Sequence, residues 1–330
     1  MFPIRTVITI AVLAGAAAQA KPLESSDIYP ADYPTVQAVA YMGKLIGEHT
    51  GGRINIKPLG QNDPETENYT VAEVRNGMVD MARVNLAVLN NLVTSSTIPS
   101  LPYLFKSTAH MRRVLDGPIG DEILASMESQ GIIGLCFYDM GSRSYIAKKP
   151  IRNVADMKGL KVRVQQSDMW VTMLRSMGAD PINMPDDRSH RLLRTGLIDV
   201  AESTLPVYVH WHNFEVARFY NMTEHSMAPG VVIFSKKVWD GLSKEDQAII
   251  RAAAKESVPY MRKLWDEREA SARKVAEAAG AQIITDVDKK SFSDVLIPLY
   301  AQILNDSNLR DMVKRVEAAD LSETDKLFAR

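Results

Sequence analysis

The sequence predicts an α/β protein built in two lobes, and three observations carry that expectation. Helix-period and strand-period segments alternate through most of the chain, the pattern of α/β architectures. Behind an N-terminal leader roughly 310 residues remain, more than one hydrophobic core usually serves. From Ser243 to about Ala279 runs a helical pattern interrupted only by Pro259. As continuous helix it would span roughly 50 Å, longer than one lobe is wide, so it is expected to cross both lobes with a kink near Pro259.

The leader comes first. Met1 to Arg5 carries one positive residue, Thr6 to Ala18 is apolar, and Ala18-Gln19-Ala20 is a small-x-small cleavage site. This is the build of a secretory signal peptide over residues 1–20, too short and too weakly flanked for a transmembrane anchor. Tyr33 to His49 places Val36, Val39, Met42, Leu45 and Ile46 at helical spacing, and Thr50-Gly51-Gly52 stops it. Arg53 to Lys57 alternates as a strand, Thr70 to Asn76 is a short helix, and Val79 to Asn85 is the next strand. Pro99 to Phe105 is an apolar loop, Met111 to Gln130 a helix, and Gly131 to Tyr138 a strand.

The same grammar repeats in a second unit. Leu160 to Gln165 reads as a strand, and Ser167 is expected to cap a helix that runs through Trp170, Met173, Leu174 and Met177 to Gly178. Pro181 to Met184 and Leu197 to Glu202 are strands around a Ser189–Thr195 helix, and Gly230 to Phe234 is a further strand. Ser243 is an N-cap for the long helix, with Glu245 and Asp246 in its first turn. Leu296 to Leu304 and Leu309 to Ala318 close the chain as helices.

Arg163 is the most informative residue. In a strand, Leu160, Val162 and Val164 share the apolar face, so Lys161, Arg163 and Gln165 share the other. A guanidinium that keeps its charge, held on a rigid element, suits a carboxylate bound by two parallel hydrogen bonds. The same strand on a surface would pair Arg163 with a nearby acid, and the sequence allows both.

Charge and composition remove several classes. Thirty-nine basic against 40 acidic residues argue against a general nucleic-acid binder. The single cysteine, Cys136, cannot form an internal disulfide, and its apolar neighbours Leu135 and Phe137 suggest a buried strand position. Gly-x-Gly-x-x-Gly, Walker-type and Gly-x-Ser-x-Gly patterns are absent. Of six histidines, only His210-Trp211-His212 has even weak ligand spacing, and Asp186-Asp187 reads better as a helix start than as a cation site. Neither a metal, a cofactor nor a catalytic residue is expected.

Several segments, taken together, resemble the solute-binding proteins of tripartite ATP-independent periplasmic (TRAP) transporters. They are Gly51-Gly52-Arg53-Ile54, Val74 to Asp80, Asp156 to Val164, Met177 to Pro181, Met184-Pro185 and Thr195 to Asp199. The resemblance implies a two-lobed periplasmic binding protein with a ligand cleft between lobes and a long helix spanning both. It implies that Arg163 binds the carboxylate of an organic acid and that Arg143 is a second ligand arginine, although a hinge salt bridge is the other role open to Arg143. Lobe I is expected in 21–140 plus 229–268, and lobe II in 141–228 plus 269–330. Localisation would be periplasmic, the chain a monomer, its partners a small organic acid and TRAP permease subunits.

Tyr29 to Thr35, Ser100 to Phe105, Gln165 to Asp168, Thr223 to Pro229 and Tyr260 to Asp266 resemble the members that bind glucuronate and galacturonate. By position, Glu67 and Asn85 would then reach hydroxyls from the first lobe. Tyr29 stands where such members often carry a histidine. Gln165 and His225 fall within these segments and join the candidate site. The chain departs from the pattern at Asp186 to His190, at Ser203 in place of an asparagine, and at Leu205 in place of a tryptophan. Asp186 and Ser203 are therefore candidate contacts of altered chemistry. Another sugar acid, a C4-dicarboxylate or a keto acid is the alternative ligand, and a periplasmic enzyme using Asp186, Asp187 and His190 the alternative class.

Overall fold

A computed structural model describes residues 22–60, 67–185, 188–227 and 229–319. The segment read as a signal peptide, Asp186 and Asp187 lie outside the described residues. Eleven strands are described: β1 (Leu23–Asp27), β2 (Ile56–Gly60), β3 (Met81–Asn85), β4 (Ile132–Tyr138), β5 (Arg143–Ala147), β6 (Lys161–Val164), β7 (Asp180–Asn183), β8 (Val200–Ser203), β9 (Phe219–Ser226), β10 (Gly230–Ser235) and β11 (Gln282–Ile284). They form two sheets, ordered β2-β1-β3-β10-β4 and β11-β9-β5-β8-β6-β7.

In the first sheet β1 pairs in parallel with β2 and β3, while β10 runs antiparallel to β3 and β4. The Pro34–His49 helix makes the crossover from β1 to β2. Its Gly43 sits so close to β2 that an added Cβ would stand 2.9 Å from Ile56 Cβ, which only a glycine permits. In the second sheet β5 runs antiparallel to β8 and β9, and β6 lies parallel to β7 and β8.

Two short crossovers join the sheets. Residues 139–142 lead from β4 to β5, and the chain returns to the first sheet between β9 and β10. The end of β4 and the start of β5 therefore lie within a few residues of each other. Ligands of open α/β sheets bind outside such strand ends.

The long helix is Lys244–Ala278, about 52 Å at about 1.5 Å per residue. Met261 and Trp265 enter the core packed around Met42, Ile46 and Tyr138 of the first unit. Two turns further on, Ala272 and Ala276 enter the core around Ile146, Leu193 and Tyr220 of the second. The helix thus runs across both units. Ser243 caps it, accepting a hydrogen bond from Asp246 N at 3.1 Å. The C-terminal helices touch both units: Ile297–Ile303 packs on Asp168–Ser176, and Ser307–Ala318 on the Thr97–Ser100 and Pro118–Ser126 helices.

Several elements differ from expectation for identifiable reasons. The Met111–Gln130 helix is broken into Thr108–Leu115 and Pro118–Ser126, because Pro118 starts a new helix at its first turn. The first short strand begins at Ile56 rather than Arg53, since Ile54 N donates to Thr50 Oγ1 at 3.2 Å and folds 50–54 into a turn. Ser167 precedes its helix but makes no cap bond; its Oγ instead accepts from Asn90 Nδ2 at 3.1 Å.

Candidate functional site

The site is built from the ends of both sheets. In the second sheet, Arg143 opens β5, Ser203 closes β8, and Gln165 follows β6. The register Ser144↔Ser203 and Arg143↔Ser226 places Arg143 beside the ends of β8 and β9. Arg163 and Gln165 are each only 3% exposed, so the polar face of β6 is buried past the exposed Lys161. Val162 and Val164 fill the core on the other face, as alternation requires.

Glu202 ties the two arginines together. Arg143 Nε donates to Glu202 Oε2 in a short ion pair, and its Nη2 donates to Glu202 O at 3.1 Å. Arg163 Nη1 lies 3.5 Å from both Glu202 Oε1 and Glu202 O, and its Nε donates to Met184 O at 2.7 Å. Glu202 is fully buried. The alternatives of ligand arginine and salt-bridge arginine therefore meet in one arrangement: a carboxylate between two guanidinium groups holds them in place on rigid strands. Removing one partner of a buried charge pair costs about 3–5 kcal/mol.

Gln165 adds a second feature. Both its Nε2 and its Oε1 are buried with no hydrogen-bond partner among the described residues. A buried amide costs free energy when left unsatisfied, so such a group beside Arg163 is one that a ligand could satisfy. His225 is enclosed differently. Its ring stacks on Tyr145 at 4.3 Å, meets Trp170 edge-on at 5.6 Å, and bonds Thr223 Oγ1 through Nδ1 at 2.8 Å. Burial, with Arg143 nearby, pulls its pKa down to about 3, so the ring is neutral. Its Nε2 has no partner among the described residues. Ser203 is buried, and its carbonyl accepts from Tyr220 at 3.3 Å.

The first sheet supplies the facing group. Glu67 begins the Glu67–Asn76 helix and reaches the end of β3, where Oε1 accepts from Asn85 N at 3.0 Å and Oε2 from Asn85 Nδ2 at 2.7 Å. Burial pushes the Glu67 carboxyl pKa up, against the pull of Arg83 and Asn85. Arg83, on β3, is 1% exposed; it donates to Asp27 through Nε at 3.0 Å and through Nη2, and to Glu67 Oε1 through Nη1 at 3.4 Å. Tyr29 lies under this guanidinium, its ring centre 5.0 Å from Arg83 Cζ, and stacks on Tyr33 at 3.9 Å. Arg83 also touches Met140 Sδ at 3.9 Å, and Met140 is three residues before Arg143. Three residues span at most about 11 Å, so the Arg83 and Arg143 clusters border the same crossover.

Of the residues selected from sequence, Arg143, Arg163, Gln165 and Ser203 come together at one sheet end, with His225 packed behind them. Glu67, Asn85 and Tyr29 come together at the other. Asp186 lies outside the described residues. Sequence reading missed Asp27 and Arg83, and treated Glu202 only as a neighbour of Ser203. A charge in the midst of Met81-Ala82-Arg83-Val84 is the same signal that singled out Arg163, so Arg83 was accessible to that argument. Cys136 is buried in β4, where burial pushes its thiol up to about 12, far from a reactive thiolate.

Paired arginines at one sheet end, carboxylate and amide groups at the other and a helix shared by both units fit the class of solute-binding proteins for small acids. Residues 25–307 match DctP, described as bacterial extracellular solute-binding protein, family 7, and the chain belongs to that family. A TRAP solute-binding protein from Bradyrhizobium sp. BTAi1, solved with galacturonate, shares 50% identity over 90% of this chain and 100% of its own, with a TM-score of 0.88. A TRAP solute-binding protein from Pseudomonas putida F1, solved with D-glucuronate, shares 32% identity over 92% of this chain and 98% of its own, also at 0.88. The Escherichia coli 2,3-diketo-L-gulonate-binding protein YiaO is 34% identical over 76% of this chain and 77% of its own length.

Proposed function

We propose that this chain is a periplasmic receptor that binds a hexuronate, galacturonate or glucuronate, and delivers it to a TRAP membrane permease. It is exported by its leader and works as a monomer, with residues 21–140 and 229–268 as one lobe and 141–228 and 269–330 as the other. The carrying observation is the pair of buried guanidinium groups, Arg143 and Arg163, on Glu202 at a sheet end. In this reading Arg163 and Arg143 take the ligand carboxylate. Gln165, His225 Nε2, Ser203 and Asp186 contact the ring from the second lobe. Glu67, Asn85 and Tyr29 meet its hydroxyls from the first. The likeness to the galacturonate-bound Bradyrhizobium protein supports the ligand class.

Isothermal calorimetry with galacturonate, glucuronate, 2,3-diketogulonate and succinate tests the reading. Micromolar or tighter binding of a uronate (about 8 kcal/mol or more) is expected, with the ligand recovered unchanged. Arg163→Ala should weaken it by roughly a hundredfold or more, and Arg163→Lys should not restore it, because a point charge lacks the two-pronged geometry. Preference for succinate, or chemical turnover of the uronate, would overturn the proposal.

A further inference from the structure

We propose that the site selects acids with a single carboxylate and rejects dicarboxylates, through Asp27, Arg83 and Glu67 at the first-sheet end. This rests on the receptor reading above and adds a rule about charge. Among the described residues, Arg83 is the cation that bonds both Asp27 and Glu67. It contacts Asp27 through Nε and Nη2 and Glu67 through Nη1. The other donors to these acids are neutral: Tyr29 N at 3.0 Å and Thr35 Oγ1 at 2.7 Å on Asp27, and Asn85 N and Nδ2 on Glu67. With both carboxylates ionised, this group carries one negative charge in excess.

Burial keeps that excess effective. The Arg83 side chain is fully buried, and those of Asp27 and Glu67 are 5% and 11% exposed. In such surroundings charge interactions are several times stronger than in water. Arg83 is already committed to its two acids, so a second ligand carboxylate would find no new cation here. It would instead stand beside Glu67, whose pKa already shows the cost of burial and of the Asp27 charge. A ligand hydroxyl meets the opposite welcome, since it can donate to a Glu67 oxygen. The paired arginines stand at the other sheet end, so the site is polarised: one carboxylate there, hydroxyls here.

Galactarate is the acid in which the end of the galacturonate skeleton distal to its carboxylate is itself a carboxylate. Its monoamide keeps the open-chain skeleton and removes one charge. Calorimetry at pH 7.5 should find galactarate about a hundredfold weaker than galacturonate, and the monoamide about tenfold or more tighter than galactarate. Glu67→Gln, checked for folding by circular dichroism, should narrow the preference for galacturonate over galactarate by about tenfold. A monoamide no tighter than the diacid, including failure of both to bind, would overturn the rule, and so would galactarate binding as well as galacturonate. Should a different monoacid prove to be the ligand, the hexuronate reading fails while the charge rule stands, with that acid and its diacid as the new pair. A dicarboxylate as the tightest ligand would end it.

Discussion

At the scale of single residues, the buried charges and rings decide what the site can do, and His225 shows how. Its ring lies between Tyr145 and Trp170 and is fully buried, with its pKa lowered to about 3 by burial and by Arg143. A free histidine in the unfolded chain titrates near 6.5. Between these values the unfolded chain binds a proton that the folded protein refuses. Stability from this group is therefore complete above about pH 6.5 and falls as pH drops toward 3. From pH 7 to pH 5 the loss is about 2 kcal/mol, at about 1.4 kcal/mol per unit once below the unfolded pKa. His225→Phe keeps an aromatic ring against Tyr145 and removes the titration. Urea unfolding at the two pH values should show wild type losing about 2 kcal/mol more than the variant over that interval. Equal pH dependence of both proteins would mean that the ring titrates in the folded protein as it does in the unfolded chain. The residue scale is also where sequence reading went furthest, since a charge inside an alternating apolar strand marked Arg163 without any knowledge of its partners. Its pairing with Glu202, 39 positions away, and that of Arg83 with Asp27, 56 positions away, arise only when the strands are laid side by side. No local pattern announces them.

At the scale of elements, two helices were legible nearly to the residue, whereas β1, β5, β9 and β11 were not read at all. The helix between β7 and β8 begins and ends where its pattern does, at Ser189 and Thr195, and the long helix within a residue of its expected ends. Both have apolar spacing and clear stops. By contrast β1 reads Leu-Glu-Ser-Ser-Asp, and its buried positions are Ser25, Ser26 and Asp27, polar residues that alternation scores as surface. β5 begins with Arg143 and is buried on both faces, and β9 mixes Asn221, Thr223 and His225 into its buried set. All three border the candidate site, and the polar residues they bring to it are the ones that hide the strand. The crossover between β4 and β5 belongs to the same scale. Gly141 has φ of 71°, and an added Cβ would stand 3.1 Å from Trp265 Nε1 and 3.3 Å from Glu269 Oε1 on the long helix. A side chain there would meet both backbone strain and crowding. Gly141→Ala should cost about 1–2 kcal/mol in urea unfolding. A variant as stable as wild type would show that the crossover relaxes freely over the helix.

At the scale of the whole molecule, the two units share the long helix and one apolar core that takes in Leu86 and Val231 on one side and Tyr145 and Trp170 on the other, with neutral polar bonds beside it. Asn90 Nδ2 donates to Ser167 Oγ at 3.1 Å, Asp168 N to Asn91 Oδ1 at 3.4 Å, and Tyr103 N to His225 O at 2.9 Å. These are neutral contacts, each worth about 1 kcal/mol net, and they compete with water when the units part. A ligand that joins Arg163 on one unit to Glu67 on the other adds a bridge that exists only when both sheet ends approach. It can shift the equilibrium by no more than its difference in affinity for the two arrangements. A carboxylate held by two arginines on one side, with hydroxyls bonded on the other, has affinity for the open form through one half of its contacts alone. The difference is therefore large, and ligand should favour the closed form. Small-angle scattering in the presence of saturating galacturonate should give a smaller radius of gyration than the free protein. The shrinkage should vanish in Arg163→Ala and Glu67→Ala alike, because each removes one end of the bridge. A radius that stays constant while calorimetry records tight binding would mean that the units are already locked together. The apolar core shared by the two units would then outweigh what the ligand bridge adds.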